Sequence, residues 1–299
     1  MRASDRPLLA LATYDQAPQL NPDDHPLQAA LEARGVQTVA VVWDDPAVEW
    51  QRFDAVLIRS IWDYFQKFDA YNAWLDHLQA LGVPTINPVP VLRWNSDKRY
   101  LATLAEAGIP MPATRHLRGA ALAALAQTPG EWIVKPAVSG GAWHTVRGTG
   151  GSPDFQAALA QLPADLDFLV QPYLPEIASA GEWSLLYFGG QFSHAVLKRP
   201  AAGDFRVQAQ FGGSTTTLPA PAAAMTAASH VLATAASLLG EPLHYARVDG
   251  VMIDGEFQLM ELEVIEPFLF MAQHPQAPDR CADALVTALR KRDVAAAAA

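Results

Sequence analysis

Three carboxylates near the end of the chain stand where a hairpin would gather them. Asp249 lies in one apolar run, residues 244–253, and Glu261 and Glu263 lie in another, residues 256–265; Asp254-Gly255 between them is the strongest short turn signal in the chain. Strand side chains repeat every second residue, so Glu261 and Glu263 share a face. The residues among them, Val251, Ile253, Leu259, Met260, Leu262 and Val264, are largely apolar, which describes a core hairpin carrying acids rather than a solvated charge run. Carboxylates in such a place need cations. Mg²⁺, held by a few carboxylate oxygens with positions left for water and phosphate, suits a site that bridges nucleotide phosphates. The alternative is that Glu261 or Glu263 is neutralised by Arg247 or another base in a structural ion pair.

A second group of residues suits phosphate directly. Lys135 ends the apolar run Trp132-Ile133-Val134, and the turn Ser139-Gly140-Gly141-Ala142 follows it. Backbone N–H groups freed from side-chain bulk approach phosphate oxygens closely, and a fixed ammonium adds the countercharge.

These residues need a frame. Residues 8–12, 36–43 and 54–59 read as strands; a helix over 25–34, with Asp23 or Asp24 as N-cap, separates the first two, and a helix over 65–81, where Phe65, Phe68, Tyr71, Leu75 and Leu78 recur at helical spacing, follows the third. Strand, helix, strand predicts a parallel sheet, and ligands bind outside the carboxyl ends of such strands, here Thr13, Tyr14 and Asp15 and the segment from Arg59 to Asp63. Asn87-Pro88 reads as the start of a linker, and Ser96-Asp97 as the cap of a helix over 98–107. Beyond it the pattern becomes antiparallel: strands at 131–136, 168–173, 182–188, 191–198 and 204–211, a long alanine-rich helix over 221–239, then the acidic hairpin.

Composition narrows the partners. The chain has 299 residues, about half of them hydrophobic (51%), enough for one large core or several moderate ones. A net charge of -10 argues against nucleic acid and anionic membrane surfaces and in favour of a small-molecule substrate. The single cysteine, Cys281, allows no intrachain disulfide and is expected to be inert, as in a reducing compartment. Residues 1–6 are polar and the apolar run after them is too short for a signal peptide or membrane span, so a cytoplasmic location is expected; residues 295–299 read as a frayed helix end or tail. Monomer and homo-oligomer stay equally open.

The order Lys98, Lys135, Gln171-Pro172-Tyr173-Leu174, Glu182, Arg206, Asp249 and Glu261-Leu262-Glu263 resembles the ATP-grasp ligase family across nearly the whole chain. The resemblance implies an α/β (α+β) ATP-grasp fold in three parts: an N-terminal Rossmann-like pre-ATP-grasp sheet (1–90), a central lid (91–174) and a C-terminal antiparallel domain with the metal site (175–299). It implies ATP with two Mg²⁺ as cofactors, Lys98 and Lys135 on the phosphates, Ser139, Gly140, Gly141 and Ala142 closing over them, and Gln171, Pro172, Tyr173 and Leu174 beside adenine. Glu182 matches the ribose acid, with Glu176 close enough to replace it. Arg206 resembles the family arginine on the transferred phosphoryl group, with Lys198 as a second cation. Asp249, Glu261 and Glu263 match the metal ligands, although relatives such as bacterial glutathione synthetase end that motif with Glu-x-Asn. The present site is more anionic.

Within that family the strings Trp94-Asn95-Ser96-Asp97-Lys98-Arg99-Tyr100-Leu101, Gly203-Asp204-Phe205-Arg206-Val207 and Glu263-Val264-Ile265-Glu266-Pro267 are similar to the cycloserine synthetase branch, whose members close a ring on O-ureido-D-serine. The resemblance implies an ADP-forming ligase that activates a carboxyl or carbamoyl-like group as an acyl-phosphate. An intermolecular amino-acid or peptide ligase, and a non-catalytic ATP-binding protein of the same fold, are the alternatives. For an amino-acid-like substrate, Arg59 or Arg247 suits the α-carboxylate, Asp63 the ammonium, and Tyr64 lies beside them. His144 and His194 are expected to be structural.

Overall fold

The computed structural model describes residues 6–298, with side chains as far as residue 291. Residues 1–5 of the polar opening segment and the last residue of the alanine tail lie outside the described residues. Among the described residues three sheets make up the fold, and the chain visits them in order.

The first sheet holds β1 (Leu8–Thr13), β2 (Gln37–Val42), β3 (Ala55–Ser60) and β4 (Thr85–Ile86), all parallel in the order β2-β1-β3-β4. The runs of Leu, Ala, Val and Ile in β1 and β3 are buried but for Leu8 at the start of β1, as parallel strands covered on both faces require. One face packs on α1 (His25–Ala33) and on the last helix of the chain, which returns to this layer through Cys281, Leu285 and Leu289; the other packs on α2 (Phe68–Ala80) and Trp43, Trp50 and Phe53. Two expectations change here. Asp24 holds the N-cap position of α1, but its side chain makes no capping bond and pairs with Arg59 instead; Asp23 accepts the N–H groups of Met271 and Ala272, and the side-chain cap falls to Asn21, on the 3-10 turn before the helix. And α2 begins after Phe65, leaving that ring against Trp143 at 5.5 Å.

Pro88 opens α3 (Val89–Asn95) directly, so Asn87-Pro88 is no open linker, and the expected helix over 98–107 is shortened to α4 (Tyr100–Glu106). Ser96 ends α3, and Lys98 occupies the break between the two helices. By packing, these helices belong to the C-terminal layer rather than to the lid, since Val91, Tyr100, Leu101 and Leu104 share a core with Leu185, Val248 and Leu262.

The second sheet is antiparallel: β5 (Arg115–Leu117), β6 (Glu131–Pro136), β7 (Val146–Thr149) and β8 (Phe168–Pro172), in the order β5-β8-β6-β7. Helices α5 (Ala120–Leu125) and α6 (Pro153–Ala160) cover one face through Leu122, Leu125, Phe155 and Leu159 on Val134, Phe168 and Val170. Lys135 points to the other face by strand alternation.

A short helix, α7 (Glu176–Ser179), leads to the third sheet, which is also antiparallel: β9 (Glu182–Phe188), β10 (Gln191–Arg199), β11 (Ser214–Thr217), β12 (Tyr245–Ile253) and β13 (Glu256–Glu263), in the order β11-β10-β9-β12-β13. The strand expected at 204–211 is absent. Asp204 Oδ1 accepts the N–H groups of Phe205 and Arg206, a local turn that competes with strand pairing, and the edge strand forms at β11 instead. Helix α8 (Ala222–Leu239) covers one face of this sheet through Ala224, Ala228, Val231, Leu232 and Ala235. Among the described residues it is the one helix long and apolar enough to cross a membrane by length and composition.

The opposite face is divided. Leu186, Phe188, Val196 and Tyr245 pack on the N-terminal layer and on α9 (Ala277–Ala298). Register places Glu182 and Ser184 of β9, Lys198 of β10, Arg247 and Asp249 of β12, and Glu261 and Glu263 of β13 further along the same face. The face turns from apolar to charged where the N-terminal layer stops covering it.

Candidate functional site

On this charged end every acid meets a base. Asp249, almost fully buried, accepts Ser184 Oγ at 2.5 Å and Arg247 Nε at 3.0 Å on Oδ1, and Arg247 Nη2 at 2.9 Å on Oδ2, with Lys198 Nζ 3.4 Å from Oδ2. Lys198 also pairs with Glu182 at 2.5 Å, Arg247 reaches across to Glu263, and Lys98 lies 3.2 Å from Glu261 Oε1. Burial works against the Asp249 carboxylate, but Arg247 and Lys198 beside it hold it below the usual range. Glu261 is likewise lowered, against its burial, by Lys98 and Lys135. Glu263 goes the other way: burial, with Asp249 and Glu261 nearby, pushes it up to about 8 in spite of Arg247. The ion-pair alternative raised by the sequence therefore describes how these acids are paired.

Lys135 projects toward the same charges, and burial lowers its pKa. Among the described residues no carboxylate pairs with it. The glycine-rich turn is held by Lys98, whose N–H donates to Ala137 O at 2.8 Å and whose ammonium donates to Ser139 O at 2.5 Å. Gly140 lies on the Phe65 ring, where a Cβ would come within 2.9 Å, and Gly141 (φ 57°) takes the left-handed conformation that favours glycine. Gln210 Nε2 donates to Gly141 O at 3.2 Å. The turn thus touches all three layers.

At the strand between lid and C-terminal sheet, Gln171 Nε2 donates to Thr114 Oγ1, while its own Oε1 is buried without a partner. Pro172 ends β8, the Tyr173 N–H is given to Glu131 O, and Arg147 stacks on the Tyr173 ring at 3.6 Å. Leu174, with Ile253 and Met260, borders a small apolar cluster of Ile177, Val207 and Val251. Of the two acids considered for ribose, Glu182 is engaged by Lys198, whereas Glu176 Oε2 is buried with no partner.

Several expected site residues are elsewhere. Arg59 is 2% exposed, paired with Asp24 at 2.9 Å and donating to Pro267 O, so its guanidinium is spent on joining β3 to the C-terminal segment. Asp63 accepts Trp43 Nε1 and pairs with Lys67 at 2.6 Å, a structural role. Tyr64 is buried among Phe65 and Tyr71, and of the four residues offered for substrate only Arg247 stands in the charged cluster. Arg206 folds back on Asp204 at 2.8 Å and stacks on Phe211 at 3.7 Å, so the structure does not bring it to the acids; Lys198 is there instead. His194 is enclosed, bonded to Leu269 O and Ser193 Oγ, as expected of a structural histidine, while His144, in left-handed backbone (φ 50°), is exposed beside Trp143. Glu266 was passed over: burial pushes its carboxyl up to about 7, with Lys98, Glu261 and Arg247 among its neighbours. The three-residue step from Glu263 was the available signal.

The donors fit a hard divalent cation at two of the three expected ligands. Glu261 and Glu263 are carboxylates on one strand face with about a quarter of each side chain exposed (27% and 25%), whereas both Asp249 oxygens are already engaged by Arg247, Lys198 and Ser184. Among the described residues no three acids, histidines or cysteines are gathered as a metal cage. Such a cage is not required of Mg²⁺, which completes its shell with water and phosphate oxygens.

Residues 9–87 match the family of the D-cycloserine synthetase DcsG N-terminal domain. The cycloserine biosynthesis protein DcsG of Streptomyces lavendulae is 31% identical over 314 aligned positions, which span 95% of this chain and 99% of that protein. Glutathione synthetase of Prochlorococcus marinus is 31% identical over 64% of this chain and 60% of its own length. Among solved structures, D-cycloserine synthetase DcsG superposes with a TM-score of 0.83 at 28% identity, covering 94% of this chain and 99% of that one. D-alanine–D-alanine ligase from Bacillus anthracis shares the fold, with a TM-score of 0.70 at 15% identity over 95% and 97% of the two chains. The architecture is that of the ATP-grasp ligases. The chain belongs to the DcsG family of those enzymes.

Proposed function

We propose that this ligase uses ATP and Mg²⁺ to activate a carboxyl or carbamoyl-like group of a small amino-acid-like substrate as an acyl-phosphate, and closes a ring on it, turning O-ureido-D-serine into D-cycloserine with release of carbon dioxide and ammonia. The observation that carries this reading is the 31% identity with a cycloserine biosynthesis protein along 95% of the chain. Lys98, Lys135 and Lys198 hold phosphate oxygens under the turn Ser139-Gly140-Gly141-Ala142, and Arg247 orients the substrate carboxylate. The adenine lies between the lid face that bears Lys135 and the apolar cluster of Ile177, Val207 and Val251. Glu176, with its buried unpartnered oxygen, takes the ribose hydroxyls. Glu261 and Glu263, with Asp249 once its cations turn away, hold the metal. Bound there, Mg²⁺ neutralises phosphate charge and polarises the transferred group.

The pairing already present fits this role. Counted with Glu182 and Glu266, five carboxylates face Lys98, Lys135, Lys198 and Arg247. Binding a nucleotide with its metals exchanges partners, ammonium to phosphate and carboxylate to Mg²⁺, and leaves no buried charge alone, which would cost several kcal/mol. Cys281, pushed up to about 12 by burial, takes no part, in keeping with a cytoplasmic enzyme.

Phosphate release from ATP and Mg²⁺ is the test, with O-ureido-D-serine alone and then with a second amine. Release with the single compound, and a cyclised product by mass, is expected. Release only with a pair would make this an intermolecular ligase, and no release with any amino acid would leave a nucleotide-binding protein.

A further inference from the structure

Strand β13 carries Glu261 and Glu263 on the outer edge of its sheet, with β12 as its one strand partner among the described residues. An edge strand exposes a row of N–H and C=O groups that something must satisfy. Here side chains do it. Tyr100 Oη donates to Leu262 O at 2.9 Å and accepts Leu262 N–H at 2.8 Å; Asn95 Nδ2 donates to Leu262 O at 2.7 Å and Asn95 Oδ1 accepts Val264 N–H at 3.1 Å. Both side chains are buried, and each uses donor and acceptor together, as a paired strand would.

Asn95 and Tyr100 flank Lys98 by three residues on one side and two on the other. The break between α3 and α4 that carries Lys98 is therefore fastened to the same two residues, Leu262 and Val264, that alternate with the acids. Fixing the backbone at Leu262 fixes Glu261 on one side of it and Glu263 on the other. It also fixes the 3.2 Å contact between Lys98 and Glu261.

We propose that Asn95 and Tyr100 are positioning residues for the metal-binding strand, acting in place of a sixth strand to hold Glu261 and Glu263 at a set distance from Lys98. The inference rests on the reading of Glu261 and Glu263 as metal ligands. It goes beyond it by assigning the geometry of that site to two neutral side chains that touch neither metal nor substrate. Groups that orient metal ligands from outside commonly change affinity by about 10–100-fold when removed, and that is the size of effect expected here.

Tyr100→Phe keeps the ring in the core and removes the hydroxyl alone; Asn95→Ala removes the second clamp. Tyr187→Phe is the control, because its hydroxyl bonds to Met225 O and Ser229 on the far side of the same core. Mn²⁺ binding to the ADP-loaded protein is read by paramagnetic resonance, beside ADP affinity without metal and melting temperature. The expected result is Mn²⁺ affinity weakened about ten-fold or more in Tyr100→Phe and Asn95→Ala, with metal-free ADP affinity kept. Tyr187→Phe should melt earlier with wild-type Mn²⁺ affinity. Unchanged Mn²⁺ affinity in both test variants, or an equal loss in the control, would overturn the proposal and leave the metal reading standing. A wild-type protein that binds no Mn²⁺ would overturn the metal reading and this inference with it. Should Asn95→Ala fail to fold, Tyr100→Phe alone decides.

Discussion

Replacing Asn87 by alanine should cost more stability than any surface change in the chain. Asn87 is fully buried and lies where the N-terminal layer meets the C-terminal sheet. Its amide donates to Tyr245 O and Val264 O, both at 2.8 Å, and its Oδ1 accepts His244 N–H at 2.6 Å. The backbone there is left-handed, φ 59°, which asparagine tolerates better than alanine does. Alanine removes the bonds that serve two buried carbonyls and the half-buried His244 N–H, at about 1–3 kcal/mol each. Taking the low end for all three, and adding about 1–2 kcal/mol for left-handed alanine, gives a loss of about 4–5 kcal/mol. Stabilities of folded domains are about 5–15 kcal/mol, so the variant should be close to unfolding at 25 °C. Urea titration followed by tryptophan fluorescence measures the loss, and hydrogen exchange at the His244 amide reports it locally. A loss below about 1 kcal/mol, with His244 still protected, would show that water or a backbone shift replaces the side chain and that the two layers are not joined through Asn87.

Three further outcomes test the site and its surroundings. If Glu176 holds the ribose, 2′-deoxy-ATP should bind more weakly than ATP to the wild type and to Glu182→Gln, but equally with ATP to Glu176→Gln; the reverse pattern would transfer the role to Glu182. In Gly140→Ala the new methyl would meet the Phe65 ring at 2.9 Å, so the turn should lift and the KM for ATP rise several-fold, with recovery when Phe65→Leu is added; a KM unchanged in Gly140→Ala would separate the turn from nucleotide binding. His194 is buried against Leu269 O, with His274 and Arg280 nearby, and burial lowers it to about 4. Its folded value is below its unfolded one, so the unfolded chain takes the proton first. The contribution is complete above about pH 6.5 and is lost as pH falls toward 4, by roughly 3 kcal/mol. Stability at pH 5 relative to pH 7.5 should therefore fall less in His194→Gln than in the wild type, and equal slopes would refute it.

Much of this was readable because strand alternation is a strict rule. Asp254-Gly255 fixed the acidic hairpin, and the period of two then placed Glu261 and Glu263 on one face with Asp249 opposite. Apolar runs around β1 and β3 announced the parallel sheet in the same way. What sequence periodicity could not show is which side chains serve distant backbone. Asp23 and Asp24 looked like helix caps because the local pattern is the same, yet their partners, Met271, Ala272 and Arg59, lie far along the chain. Arg59 and Asp63 looked like substrate ligands at a strand end for a related reason: a charged residue there reads alike whether it faces a ligand or a buried partner. Arg206 is a third case, since an acid two residues away captures it before anything distant can. The same blindness hid Asn95 and Tyr100, whose importance appears only once Leu262 and Val264 are seen to lack a strand beside them. Sequence pattern therefore locates charges along a sheet face, and only tertiary structure tells which of those charges are already spent.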